Sequence, residues 1–118
     1  ANGKIKESVM AIPRLTDAEI AEILARDLPG WSHAEGGIAR AYRTGGWKAG
    51  LSLVNEIGDL AEAADHHPDL LLSYAQVTVR LSTHDAGGVT EKDMSLARDV
   101  EALFGSAFEG AGDVADGG

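Results

Sequence analysis

The chain has 118 residues, 44% hydrophobic and 25% charged, enough for one hydrophobic core and without a composition shift that would divide it into two domains. Nineteen acidic against ten basic side chains leave a net charge of -9, which repels phosphate backbones and anionic membranes and argues against direct nucleic-acid binding. The absence of cysteine excludes disulfides, thiolate catalysis and cysteine-liganded zinc, and no apolar run approaches the roughly 20 residues that span a bilayer, so a cytoplasmic protein that does not enter the membrane is expected.

Residues 1–9, Ala1 to Val9, are polar, lack the basic-then-apolar layout of a secretory signal, and precede Met10, from which Ala11-Ile12-Pro13 reads as a natural start. They are read as a disordered or added extension, which places the domain at residues 10–104. In Leu15-Thr16-Asp17-Ala18-Glu19-Ile20, Thr16 is placed to cap a helix, Glu19 to close a capping box and Leu15 to staple against Ile20. Ile20, Ile23, Leu24 and Leu28 keep helical spacing and Pro29-Gly30 stops it, predicting a helix over Asp17 to Asp27. Trp31 to Ala34 and Ile38 to Thr44 then flank Glu35-Gly36-Gly37, a connector short enough for a hairpin.

From Trp47 to Ala64, Trp47, Leu51, Val54, Ile57 or Gly58, and Ala61 form one stripe that Leu53 and Leu60 widen, predicting a long helix with a broad buried face. After Pro68 the period changes to two, with Val77, Val79 and Leu81 set against Thr78, Arg80 and Ser82, while Leu70 to Tyr74 reads as a fourth strand, continuous with this one or separated from it by a bend near Ala75-Gln76. Asp85-Ala86-Gly87-Gly88 is loop, and Val89-Thr90-Glu91-Lys92-Asp93-Met94 repeats the capping logic for a last helix to about Phe104. Residues 105–118, rich in glycine, alanine and acid, read as a flexible tail. The order α-β-β-α-β-β-α implies an α+β fold, a four-stranded antiparallel sheet with helices packed on one face.

Three of the four histidines fall in His66-His67-Pro68 and Thr83-His84-Asp85, at the ends of the long helix and of the last strand. Pro68 forbids continuation of the helix and confines His67 to extended conformations, which turns the two imidazoles out of helical register. Histidine exchanges protons near neutral pH, so such a group suits general acid and base work. Glu62, four residues before His66, and Asp93, in the first turn of the last helix, are placed to orient them.

Plainer readings stand beside this one. Adjacent histidines at a helix end also cap carbonyls or face water, and Asp93 is an ordinary helix-capping residue. Three histidines and a carboxylate could hold zinc, but no established ligand spacing is present. His33 has no visible partner, Gly87-Gly88 is a turn rather than a phosphate loop, and Trp31 and Trp47 taken singly are core or interface anchors.

Taken together, Glu62-x-x-x-His66-His67-Pro68, Tyr74 and Thr83-His84-Asp85-x-Gly87-Gly88-x-Thr90-x-Lys92-Asp93 resemble the pterin-4a-carbinolamine dehydratases. The resemblance holds from Trp31 to about Leu103, and the helix-first layout of Thr16 to Leu28 is similar as well. It implies a hydro-lyase that eliminates water from 4a-hydroxytetrahydrobiopterin to give quinonoid dihydrobiopterin, so that tetrahydropterin is recycled. The pterin is the substrate, and no metal or organic cofactor is implied.

By the same resemblance His66 and His67 are the principal acid/base and pterin-contacting groups, and His84 completes the pocket. Glu62 tunes or orients them, Asp93 holds His84 or the ligand, and Trp31 borders the pocket. Two positions depart from the family pattern: Leu70 replaces a frequent aromatic residue, and Lys92 stands where some members carry arginine, which keeps the charge and loses bidentate geometry. Relatives of this fold also act as binding proteins, as a dimerisation cofactor of a homeodomain transcription factor or in RuBisCO assembly in carboxysomes. Such a non-catalytic role is the alternative function. A homodimer or homotetramer is expected from the family and from the unprotected edges of a four-stranded sheet.

Overall fold

The computed structural model describes residues 12–117, with the side chains of residues 12–105. The expected extension at residues 1–9 lies outside the described residues. Helix α1 (Asp17–Asp27) begins on the anticipated capping box: Thr16 Oγ1 accepts the Glu19 amide at 3.1 Å, and Glu19 Oε1 accepts the Thr16 amide at 2.8 Å. Strands β1 (Ser32–Ala34) and β2 (Gly37–Arg43) follow as a hairpin. Its connector is one residue tighter than expected, because Glu35 (φ 54°) and Gly36 (φ 76°) both take left-handed conformations and Gly37 already pairs with Ala34.

Helix α2 (Trp47–Ala64) leads to β3 (Asp69–Ser73), β4 (Gln76–Leu81), a short 3-10 turn (His84–Ala86) and helix α3 (Glu91–Gly117). The last helix does not stop near Phe104. Among residues 105–118, which were expected to form a flexible tail, it runs on to Gly117. No proline interrupts this stretch, and a helix already nucleated gains one hydrogen bond per added residue against about 1 kcal/mol for each glycine.

The four strands form one antiparallel sheet in the order β1-β2-β4-β3, which confirms the α+β fold. Its inner face carries Ile38, Tyr42, Val77, Val79 and Leu81, all fully buried. The helices cover that face through Ile20 and Leu24 of α1, Leu53, Ile57 and Ala61 of α2, and Met94, Ala97 and Val100 of α3. On the other face Ala41, Arg43 and Leu71 are exposed.

The buried stripe of α2 differs from the expected one. It runs through Gly50, Leu53, Ile57 and Ala61, while Trp47 and Leu51 are 49% and 43% exposed. Close approach decides this: a Cβ on Gly50 would lie 2.8 Å from Leu72 Cδ1 and 3.3 Å from Thr44 Oγ1, so the helix settles with its glycine against the sheet. Trp47 is therefore not a core anchor of this fold.

Trp31 is. It is buried, its ring meets Tyr42 edge-on at 6.3 Å, and its Nε1 donates to Glu101 Oε1 at 2.9 Å. Tyr42 donates to the same oxygen at 2.6 Å, and the Arg40 guanidinium both pairs with Glu101 and stacks 4.6 Å above the Tyr42 ring. Burial, reinforced by the Glu101 carboxylate, pushes the Tyr42 phenol far above its ordinary pKa.

Two expectations follow. Ile57→Ala should lower stability by about 2–5 kcal/mol in urea denaturation, the range for emptying a fully packed aliphatic site. Because the folded state raises the Tyr42 pKa, its contribution is fully present at neutral pH and declines once pH exceeds the unfolded phenol's pKa. In a Tyr74→Phe chain, tyrosinate absorbance should therefore appear only together with alkaline unfolding.

Candidate active site

Strand pairing brings the two histidine segments together. Antiparallel β3 and β4 place Asp69 opposite Arg80, so the chain entering β3 lies beside the chain leaving β4. His66, His67 and Pro68 occupy the first stretch, Thr83 and His84 the second. A bridge between Thr83 and Gly88, with Thr83 N donating to Gly88 O at 2.8 Å, folds the connecting loop back so that Thr90 opens α3 in the same place.

The end of α2 aims the paired histidines apart. Asp65 takes a left-handed conformation (φ 52°, ψ 44°), and His66 N closes the terminus by donating to Ala61 O at 3.1 Å. With the helix ended at Ala64, the simple expectation that Glu62 faces His66 fails. Glu62 Oε1 instead meets His67 Nε2 at 2.6 Å, in a pair exposed to solvent.

His66 turns inward, where its Nε2 lies 2.5 Å from Oδ1 of the fully buried Asp93. Asp93 thus holds His66 rather than His84. Its second oxygen accepts the Thr90 amide at 2.9 Å and the Thr83 hydroxyl at 2.8 Å, so the buried carboxylate is satisfied on both oxygens. The capping reading and the functional reading of Asp93 are both fulfilled, because the same side chain caps α3 and binds an imidazole.

His66, His67 and His84 line one open cleft of about 250 Å³, together with Thr83, Asp85 and Lys92. His84, at the head of the 3-10 turn, is exposed. Pro68 lies next to the cleft rather than in its lining and starts the extended run into β3. Trp31 does not line the cleft; it belongs to the Glu101 cluster of the core, where its indole N–H finds a partner. Beyond His66 and Lys92 lies a second cavity of about 270 Å³ with Ile12, Ala64 and Leu96 in its wall.

A larger hollow, about 600 Å³, lies elsewhere, between Arg14, His33, Glu35 and Gly88. It holds one histidine and no imidazole–carboxylate pair among the described residues, so its size does not make it the reactive centre. Among the described residues no group of three or more His, Cys, Asp and Glu side chains converges as a metal site would.

The family model described as pterin 4 alpha carbinolamine dehydratase matches residues 13–103. The chain belongs to this family. It is 46% identical over 94 residues to a Chloroflexus aurantiacus protein named "Putative pterin-4-alpha-carbinolamine dehydratase", covering 80% of this chain and all of the relative. An Aquifex aeolicus protein of the same name is 40% identical over 92 residues, covering 78% of this chain and 92% of its own.

Among solved structures, a Brucella melitensis protein described as a transcriptional coactivator/pterin dehydratase superposes with a TM-score of 0.71 at 35% identity, over 76% of this chain and 97% of that one. A pterin dehydratase-like RuBisCO assembly factor of the alpha-carboxysome superposes with a TM-score of 0.56 at 18% identity, over 64% of this chain and 90% of that one, and shares the fold alone. The family is one of lyases, and no described helix of this member is long and apolar enough to cross a membrane.

Residue-type reasoning passed over the Thr83 hydroxyl and the Thr90 amide that hold Asp93, and the Thr90 hydroxyl that meets Thr83. The signal was present, since Thr83 immediately precedes His84 and Thr90 sits three residues before Asp93. The left-handed Asp65 gives the site a further testable feature, because a non-glycine residue there carries strain that glycine does not. Asp65→Gly is expected to raise stability by about 0.5–1 kcal/mol, read from the urea midpoint at unchanged slope.

Proposed function

We propose that this protein dehydrates 4a-hydroxytetrahydropterins, as 4a-hydroxytetrahydrobiopterin dehydratase does, giving the quinonoid dihydropterin and water. The carrying observation is the pair of imidazole–carboxylate contacts, His66 with Asp93 and His67 with Glu62, side by side on the cleft that His84 also lines.

The chemistry asks for two proton movements and no change in the electron count of the substrate as a whole. The C4a–O bond breaks and the departing hydroxyl takes a proton to leave as water. The N5–H proton is removed, and its bonding pair closes the N5–C4a double bond. Groups that donate and accept protons near neutral pH are sufficient for this, so the reading calls on no metal and no organic cofactor. His66, His67 and His84 are the groups assigned to it. Glu62 and Asp93 hold two of them at 2.5–2.6 Å, which fixes ring orientation before substrate arrives.

The sheet ends in two edges, β1 and β3, and assembly of like chains into a homodimer or homotetramer would protect them. A purely protein-binding role would leave the exposed His67–Glu62 pair and His84, which no packing requires, without a task, which favours catalysis over that alternative.

Stopped-flow loss of chemically generated 4a-hydroxytetrahydropterin tests the reading. Wild type is expected to accelerate the loss and a His66→Ala/His67→Ala chain is not; no acceleration by wild type would move the function to protein binding. His67→Ala alone should lower turnover by about a hundredfold or more with the fold intact, because its side chain is 56% exposed.

A further inference from the structure

The hydrogen bonds behind His66 have only one consistent set of directions. The Thr90 amide can only donate, and it does so to Asp93 Oδ2 at 2.9 Å. The Thr83 hydroxyl lies 2.8 Å from that same oxygen and 2.7 Å from Thr90 Oγ1. A hydroxyl has a single hydrogen. Thr83 gives its hydrogen to the carboxylate and therefore receives one from Thr90 Oγ1, which in turn accepts the Lys92 amide at 3.2 Å.

Two donors thus engage Asp93 Oδ2, and Oδ1 is directed at His66 Nε2, 2.5 Å away and out of water. An oxygen that only accepts requires the hydrogen on Nε2, which leaves the lone pair of the neutral ring on Nδ1. His67 has no such support: its partner Glu62 is 80% exposed, and no other hydrogen bond to that carboxylate is present among the described residues.

We propose that Thr83 is a positioning residue for the dehydration: through Asp93 it locks His66 as the Nε2–H tautomer, with Nδ1 as the atom that takes the N5 proton. The proposal rests on the dehydratase reading of this site. As Nδ1 accepts that proton, the freed pair forms the N5–C4a double bond, the C4a–O pair leaves with the hydroxyl, and the exposed His67 or His84 supplies the proton that completes water. The threonine pair keeps Asp93 from rotating and from sharing its oxygens with solvent, so the tautomer is set before substrate binds.

The test compares wild type, Thr83→Val and Thr83→Ser in the full chain, at a temperature where circular dichroism shows all three folded. Nitrogen-15 correlated NMR of the imidazoles reads the tautomer, and stopped-flow dehydration reads kcat and KM separately. Wild type should show His66 with hydrogen on Nε2. Thr83→Val should lose that preference and drop kcat by about ten- to a hundredfold, short of the ~10⁴ cost of holding a catalytic histidine in the wrong tautomer, with KM little changed. Thr83→Ser should restore both.

A Thr83→Val chain with wild-type tautomer and kcat, or one altered in stability or KM alone, would overturn the proposal. So would hydrogen on Nδ1 of His66 in the wild type, a measurement that needs no variant to fold. Absence of dehydration by wild type would instead overturn the dehydratase reading, and the tautomer measurement would still report on the hold of Thr83 over His66.

Discussion

A carboxylate removed from water has to be satisfied by its neighbours, and at Asp93 that requirement organises the site. Burying an unpaired charge costs several kcal/mol, so the fold must deliver donors to both oxygens. It does so from three separate places: the amide of Thr90 at the start of α3, the hydroxyl of Thr83 just after β4, and the ring of His66 just after α2. None of these elements can shift far without leaving the charge short of a partner. The site is therefore held by the same contacts that join α2, β4 and α3 into one body.

The two histidines that adjoin in the chain end in opposite surroundings for the same reason. Asp65 turns the backbone left-handed, which sends His66 to the buried carboxylate and leaves His67 on the surface with Glu62. A buried, doubly supported pair keeps one geometry, whereas an exposed pair exchanges with water. An elimination that needs one proton taken and another delivered is suited by such a division. On the helix-covered face of the sheet, away from the cleft, Glu101 plays a purely architectural counterpart, gathering Trp31, Arg40 and Tyr42 and leaving Trp31 with no part in the cleft.

Much of this was legible in the chain. The capping box at Thr16 and Glu19, the two-residue alternation of Val77, Val79 and Leu81, and the stop at Pro68 are local signals, and each element appears where its signal lies. Differences arise where a close contact between elements decides the outcome, and where a glycine-rich stretch reads as the end of a helix. The face of α2 rotated onto Gly50 because Leu72 and Thr44 leave no room for a side chain there. The last helix continued past Phe104 because glycine weakens a helix without ending it.

The sequence by itself determined the element order, the inward residues of β4 and the set of groups able to move protons, because periodicity, caps and residue chemistry are properties of short stretches. It also carried the family, through the spacing of Glu62, His66, His67, His84 and Asp93. Only the tertiary structure decided which carboxylate meets which imidazole. Glu62 went to His67 and Asp93 to His66, because the partner of a side chain depends on how a helix terminates and on which strand end lies beside it. Those are relations between residues up to 27 positions apart in the chain, and no local pattern encodes them.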